Sequence, residues 1–112
     1  MKLEDDVSSL NISDGHLNAA EIIFSSLDSP LRQKILRLLA DRGHYVHELV
    51  TKLEKSQPLI SQHLRVLKSA GLVRSERSGR EVIYNLTSPK SLKLINTAAA
   101  LYDELAPNRS SS

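Results

Sequence analysis

The spacing of apolar residues changes at Gly71 from helical to alternating, and that change limits what the chain can fold into. Before Gly71 apolar residues recur at intervals of three and four, the signature of helices that bury one face. After it Leu72, Arg74 and Glu76 alternate with Val73, Ser75 and Arg77, an imperfect strand. Val82-Ile83-Tyr84-Asn85-Leu86 is a β-branched and aromatic run that favours a second strand. Ser78-Gly79-Arg80 lies between them as a turn, so the two strands form a hairpin with a basic tip.

Four helices are expected ahead of the hairpin. Leu17, Ala20, Ile23, Phe24 and Leu27 follow helical spacing from His16, with Asp14 or Gly15 as the start. Ser29-Pro30 is a serine cap with proline at the first helical position. Leu31, Ile35, Leu38 and Leu39 make that second helix's stripe, and Gly43 is read as its C-cap. A short third helix is expected over residues 44–55 on Val46, Leu49, Val50 and Leu53. Ser56 caps a fourth, with Pro58 in its first turn, Ile60, Leu64 and Leu67 as the buried stripe, and Gly71 as the stop. Ser88-Pro89 repeats the serine-then-proline start, and a last helix runs to about Ala106, before Pro107. The expected order is α-α-α-α-β-β-α, mainly helical with a small hairpin. An acidic flexible arm over 1–14 precedes a single domain over 15–106, and 107–112 forms a disordered tail.

Length and composition fit one domain. The chain has 112 residues, and aromatics make up 4%, so the core rests on Leu, Ile, Val and Ala. A domain this small gains from pairing with a second chain. It has no cysteine, which excludes disulfides, zinc ribbons and thiol nucleophiles and fits a reducing cytoplasm. No stretch approaches the roughly 18 apolar residues of a membrane span, and the acidic start argues against a signal peptide.

Charge is unevenly distributed. Residues 1–30 set Lys2 against Glu4, Asp5, Asp6, Asp14, Glu21 and Asp28, a net of −5. Residues 50–80 set Lys52, Lys55, Arg65, Lys68, Arg74, Arg77 and Arg80 against Glu54 and Glu76, a net of +5. A basic middle in a chain of formal charge +2 points to a face for a polyanion, with ordinary solvated charge as the alternative.

The basic segment coincides with a third helix, a short turn Glu54-Lys55-Ser56, a capped fourth helix and the hairpin. That succession is a winged helix-turn-helix, whose second helix offers its first turns to the major groove of duplex DNA. Its outward positions are Gln57, Ser61, Gln62, Arg65 and Lys68. Glutamine can pair bidentately with adenine, and arginine with guanine or a phosphate. Serine hydroxyls, Ser56 included, and the helix N-terminus suit phosphate oxygens. Arg77, Ser78, Gly79 and Arg80 at the hairpin tip suit phosphates or a narrow minor groove. No nucleophile, glycine-rich phosphate loop or paired acid and base is apparent, so an enzyme is not expected.

These residues carry a resemblance. Val46-His47-Glu48-Leu49, then Ser56-Gln57-Pro58-Leu59-Ile60-Ser61-Gln62-His63-Leu64-Arg65-Val66-Leu67, then Ala70-Gly71-Leu72-Val73 resemble the ArsR/SmtB family of bacterial repressors. So do the wing Arg77-Ser78-Gly79-Arg80-Glu81-Val82-Ile83-Tyr84, Leu86, and Ser29-Pro30-Leu31-Arg32 with Ile35-Leu36; the likeness spans about 16–106. It implies a homodimeric repressor of transcription on a palindromic operator, dimeric through the first and last helices. Leu17, Ala20 and Phe24 then face the partner, with Leu92, Ile95, Ala99 and Tyr102. The residues agree, because Leu94, Ala98, Leu101 and Leu105 add a second apolar row to the last helix, more than one core contact uses.

The resemblance also raises release from DNA by a metal ion. Where many members carry Cys-x-Cys, this chain has Tyr45 and His47. His47 can donate a nitrogen, His44 lies within reach if the segment is helical, and His16 can join from the other subunit. Zinc, nickel or cobalt would suit such ligands. A second family site on the last helix maps to Ser88, Lys90, Leu101 and Glu104, where a lysine repels a cation. His63 is read with the DNA-facing helix, structural or in contact with DNA, and not as a ligand. A metal-independent regulator, or a protein-interaction module that keeps the shape without the DNA contacts, stays open as the alternative.

Overall fold

Ser29, Ser56 and Ser13 each close a helix start as a side-chain cap. The computed structural model describes residues 13–106. The arm expected over 1–14 lies outside the described residues except for Ser13 and Asp14, and the tail over 107–112 lies outside them entirely. Ser13 Oγ accepts from the His16 N–H (3.1 Å) and starts α1, Asp14–Leu27. Ser29 Oγ accepts from the Arg32 N–H (3.1 Å) and starts α2, Pro30–Asp41. Each such cap satisfies an amide with no partner inside the helix and contributes about 1 kcal/mol.

The chain then departs from expectation at residues 42–45. Arg42 is extended (φ −168°), so α2 ends without a left-handed glycine. His44–Tyr45 form a short strand, β1, instead of opening the third helix, which begins later as α3, Val46–Leu53. The reason is pairing far along the chain. His44 sits opposite Tyr84 and Tyr45 opposite Ile83, so the expected hairpin is the larger part of a three-stranded antiparallel sheet of order β1-β3-β2. Its long strands are β2, Val73–Ser78, and β3, Glu81–Leu86.

Gly43 serves this pairing rather than a helix cap. A Cβ there would run into the Asn85 side-chain oxygen and lie 3.1 Å from Ile83 Cδ1. Gly43→Ala is therefore expected to destabilise the fold by about 1–3 kcal/mol through overpacking. Chemical denaturation measures the loss, and a Gly43→Ala/Asn85→Ala double variant should recover part of it. Equal loss in both would place the cause elsewhere.

Helix α4, Gln57–Ser69, supplies Ile60, Leu64 and Leu67 to a core with Ile35, Leu36, Leu39 and Leu49, closed by Leu27 and Val73. Leucines that bury fully in this way contribute about 1.5–3 kcal/mol each. The last helix, α5, Lys90–Leu105, touches the core through Leu92, Leu94 and Ile95. Ser88 Oγ accepts from the Lys90 N–H (3.2 Å), so this serine assists the start from two residues upstream of the helix. Beyond Ile95 every residue of α5 is exposed.

Candidate nucleic-acid interface

The turn between α3 and α4 depends on Glu54, which takes the left-handed conformation (φ 54°, ψ 47°) and gives its N–H to the Val50 carbonyl. A non-glycine residue there costs roughly 1–2 kcal/mol, and it lets α4 start within three residues. Ser56 Oγ then accepts from the Leu59 N–H (3.4 Å), with Pro58 in the first turn, as the sequence predicts.

The two faces of α4 are chemically distinct. Ile60, Leu64 and Leu67 have no exposed surface. Gln57, Gln62, Arg65 and Lys68 are exposed, and Ser61 is half-buried. Gln57 Nε2 donates to Ser61 Oγ (2.7 Å), which lays the amide along the helix one turn from its start. The structure thus brings Ser56, Gln57, Ser61, Gln62, Arg65 and Lys68 onto one solvent-facing helix anchored from behind by leucines.

His63 departs from that face. Its Nδ1 accepts from Arg32 Nη1 (3.0 Å), while Arg32 Nε and Nη2 donate to the carbonyls of Ser26 (2.7 Å) and Ser25 (3.1 Å). One arginine of α2 thereby ties the end of α1 to α4. Helical spacing held the signal: His63 lies three residues after Ile60 and four before Leu67, on the flank of the buried stripe. Burial and the Arg32 charge push His63 below the ordinary 6.5 of histidine. A histidine depressed by folding contributes stability that is complete above 6.5 and lost as pH falls through its folded value. The melting temperature should accordingly drop between pH 7 and 5, and His63→Gln, which keeps an acceptor but cannot take the proton, should flatten that drop. An identical pH profile in the variant would assign the acid sensitivity to other groups.

The wing tip is the two-residue turn Gly79-Arg80, with Ser78 opposite Glu81. Gly79 is left-handed (φ 67°) at the first turn position, where a type II′ hairpin needs glycine. Arg77, Ser78, Gly79 and Arg80 are all exposed.

The three histidines singled out for metal binding do not converge within one chain. His44 is fully buried, not helical, and both ring nitrogens have partners: Nδ1–H donates to the Arg42 carbonyl (2.8 Å) and Nε2 accepts from Lys52 Nζ (2.9 Å). His47 is exposed and pairs with Glu81 (3.0 Å). His16 lies in the first turn of α1. Among the described residues no three His, Cys, Asp or Glu side chains group as a metal site. Within one chain the described residues thus do not bring His16, His44 and His47 together around a single ion.

Near His47, Arg42 clamps Glu48 with both terminal nitrogens (2.8 and 3.3 Å), and Glu48 also accepts from the Tyr45 N–H (2.9 Å). These contacts, the Arg42 hydrogen bonds first, hold the Glu48 carboxyl at about 2. The other conspicuous surface is apolar. Leu17, Phe24, Ala99 and Tyr102 are exposed, whereas Ala20, Leu92 and Ile95 are half-buried. Between α1 and α5 runs a groove of about 900 Å³ whose walls include Leu17, Ala20, Phe24, Ile95, Ala98 and Ala99.

A leucine-backed polar helix, a short left-handed turn before it and a basic hairpin after it define a winged helix-turn-helix protein. Residues 29–75 match the family described as "Bacterial regulatory protein, arsR family". The chain is 44% identical over 84 residues to the HTH-type transcriptional repressor SmtB of Mycobacterium tuberculosis, covering 75% of this chain and 62% of that repressor. It is 32% identical over 95 residues to the transcriptional activator HlyU of Vibrio cholerae, covering 83% and 88%. The solved structure of that HlyU is similar with a TM-score of 0.69 at 31% identity, covering 80% of this chain and 98% of that one. The homodimeric winged helix-turn-helix DNA-binding domain Mb0332 from Mycobacterium bovis is similar with a TM-score of 0.71 at 27% identity, covering 82% and 88%. The chain belongs to the ArsR family of bacterial regulatory proteins. Its relatives are regulators of transcription, not enzymes.

Proposed function

We propose that the chain is a homodimeric, sequence-specific DNA-binding repressor that acts in the cytoplasm on a palindromic operator. The observation that carries this reading is α4: Gln57, Gln62 and Arg65 face solvent while Ile60, Leu64 and Leu67 hold the helix from behind. In that arrangement Gln57 and Arg65 read base edges, and Ser56, Lys68, Arg77 and Arg80 hold phosphates. The groove between α1 and α5 supports dimerisation, because a largely apolar trough of that size stays open among the described residues. Likeness to a repressor at 44% identity favours repression, although the HlyU relative is named an activator.

The test is a mobility shift on palindromic duplexes from the chain's own upstream region, repeated across salt concentrations, with a reporter to read the sign of regulation. Affinity should fall steeply with salt, with a log–log slope near −0.9 per phosphate neutralised. Absent or salt-insensitive binding to every such duplex would reject the reading.

For the effector, the metal-independent form has the better support. His44 has both nitrogens engaged, and His47 with Glu81 supplies two ligands where a tight site takes four. Zinc, nickel and cobalt should each leave DNA affinity within about twofold, well under the tenfold that 1.4 kcal/mol of coupling represents. A metal-induced loss of affinity that His47→Ala abolishes would reverse that conclusion.

A further inference from the structure

The outer half of the wing is joined to the rest of the protein by side chains instead of by the sheet. β1 pairs with β3 at Tyr84 and Ile83 and goes no further, so from Val82 outward β3 pairs with β2 alone. Beneath this overhang, α3, the start of α4 and β3 line an open groove of about 380 Å³, with Val46, Val50 and Val82 as its apolar wall and His47, Gln57 and Glu81 at its edge. Among the described residues no strand but β2 pairs with this outer part of β3, and a two-stranded hairpin by itself is marginal in water.

Tyr45, the last residue of β1, and His47, in the first turn of α3, bridge the gap. Tyr45 Oη lies 3.3 Å from Ser78 Oγ, at the end of β2. His47 Nε2 lies 3.0 Å from Glu81 Oε1, at the start of β3. Ser78 and Glu81 face one another across the hairpin and flank Gly79-Arg80, so one contact falls on each leg of the tip. The two rings that reach out are themselves stacked, 5.6 Å apart and 6° from parallel. Their base is fixed in turn, because Glu48 accepts the Tyr45 N–H and is clamped by Arg42.

We propose that Tyr45 and His47 form a latch that sets the height of the wing arginines relative to α4, so that Arg77 and Arg80 meet the DNA backbone while α4 lies in the groove. They are positioning residues and do not themselves touch DNA. Either contact alone is exposed and weak. Acting together from a prestacked pair, they remove motion of the tip that DNA binding would otherwise have to freeze. This inference rests on the DNA-binding reading above.

The experiment is a thermodynamic cycle on DNA affinity and its salt slope. Two arginines on two phosphates account for about 1.8 of the slope. In the native chain, Arg77→Ala/Arg80→Ala should cost about tenfold or more in affinity and that much slope. Tyr45→Phe/His47→Ala, which leaves both arginines in place, should weaken binding about three- to tenfold and make the slope shallower by at least 1. Adding the arginine substitutions to this latch variant should then cost less than about threefold, because the wing no longer delivers them. His47→Gln, which keeps a donor for Glu81, should restore most of the slope, and melting temperatures report that each variant is folded. A latch variant with the native slope and the full arginine penalty overturns the proposal and leaves DNA binding intact. Failure of the native chain to bind any duplex overturns the DNA-binding reading and this one with it.

Discussion

Leu64→Ala and Arg65→Ala, one residue apart on α4, should impair operator binding by different routes. Leu64 has no exposed surface and packs within the core cluster. Its truncation removes transfer energy and leaves a cavity, a loss of about 2–5 kcal/mol. That is a large part of the 5–15 kcal/mol typical of a small domain. Leu64→Ala should therefore lower the denaturation midpoint sharply, and DNA binding should disappear only where the fold does. Arg65 is exposed on the opposite face, and its loss should change stability by no more than about 0.5 kcal/mol. Operator affinity should still fall by about 1–3 kcal/mol, roughly five- to 150-fold. If Arg65 reads a base, operator binding suffers more than binding to random duplex. If it holds a phosphate, both suffer equally and the salt slope drops by about 0.9. Arg65→Ala with undiminished operator affinity would remove α4 from the interface.

The elements that were legible in the sequence are those specified over a few residues. Ser29-Pro30 and Ser56-Gln57-Pro58 name their helix starts because cap and proline act within one turn. The leucines of α4 give its buried face by spacing alone, and Gly79 marks the hairpin because its turn needs a left-handed residue there. What could not be read depends on partners far along the chain. His44 and Tyr45 look like the approach to a helix, and only the distant pairing with Tyr84 and Ile83 makes them a strand. Gly43 looks like a cap from its neighbours and proves to be room for Asn85. Arg32 stood in a motif of the resemblance, but its role was not legible, since it joins Ser25, Ser26 and His63 from two other helices. The same limit governed the candidate site. The solvent face of α4 follows from its period, whereas the engagement of His44 with Lys52 and the reach of His47 to Glu81 are tertiary facts.

Breaking the apolar face should produce the other large effect. Phe24 is 59% exposed and Leu101 50% exposed, so neither holds the single chain together. Phe24→Asp and Leu101→Glu should leave the monomer folded yet bury a charge in a dimer interface, where an unpaired charge costs several kcal/mol. On a palindrome the two recognition helices are linked only through that interface, and linkage of this kind is worth about 10²–10⁴ in affinity. Each variant should thus run as a monomer by sedimentation, bind the full palindrome at least 100-fold more weakly, and bind an isolated half-site as the native chain does. Surface truncation alone would predict something different: small, equal losses on both duplexes. Should Phe24→Asp remain dimeric with full palindrome affinity, α1 would not be part of the contact. A native chain that sediments as a monomer while binding the palindrome tightly would show that the groove between α1 and α5 serves some other partner.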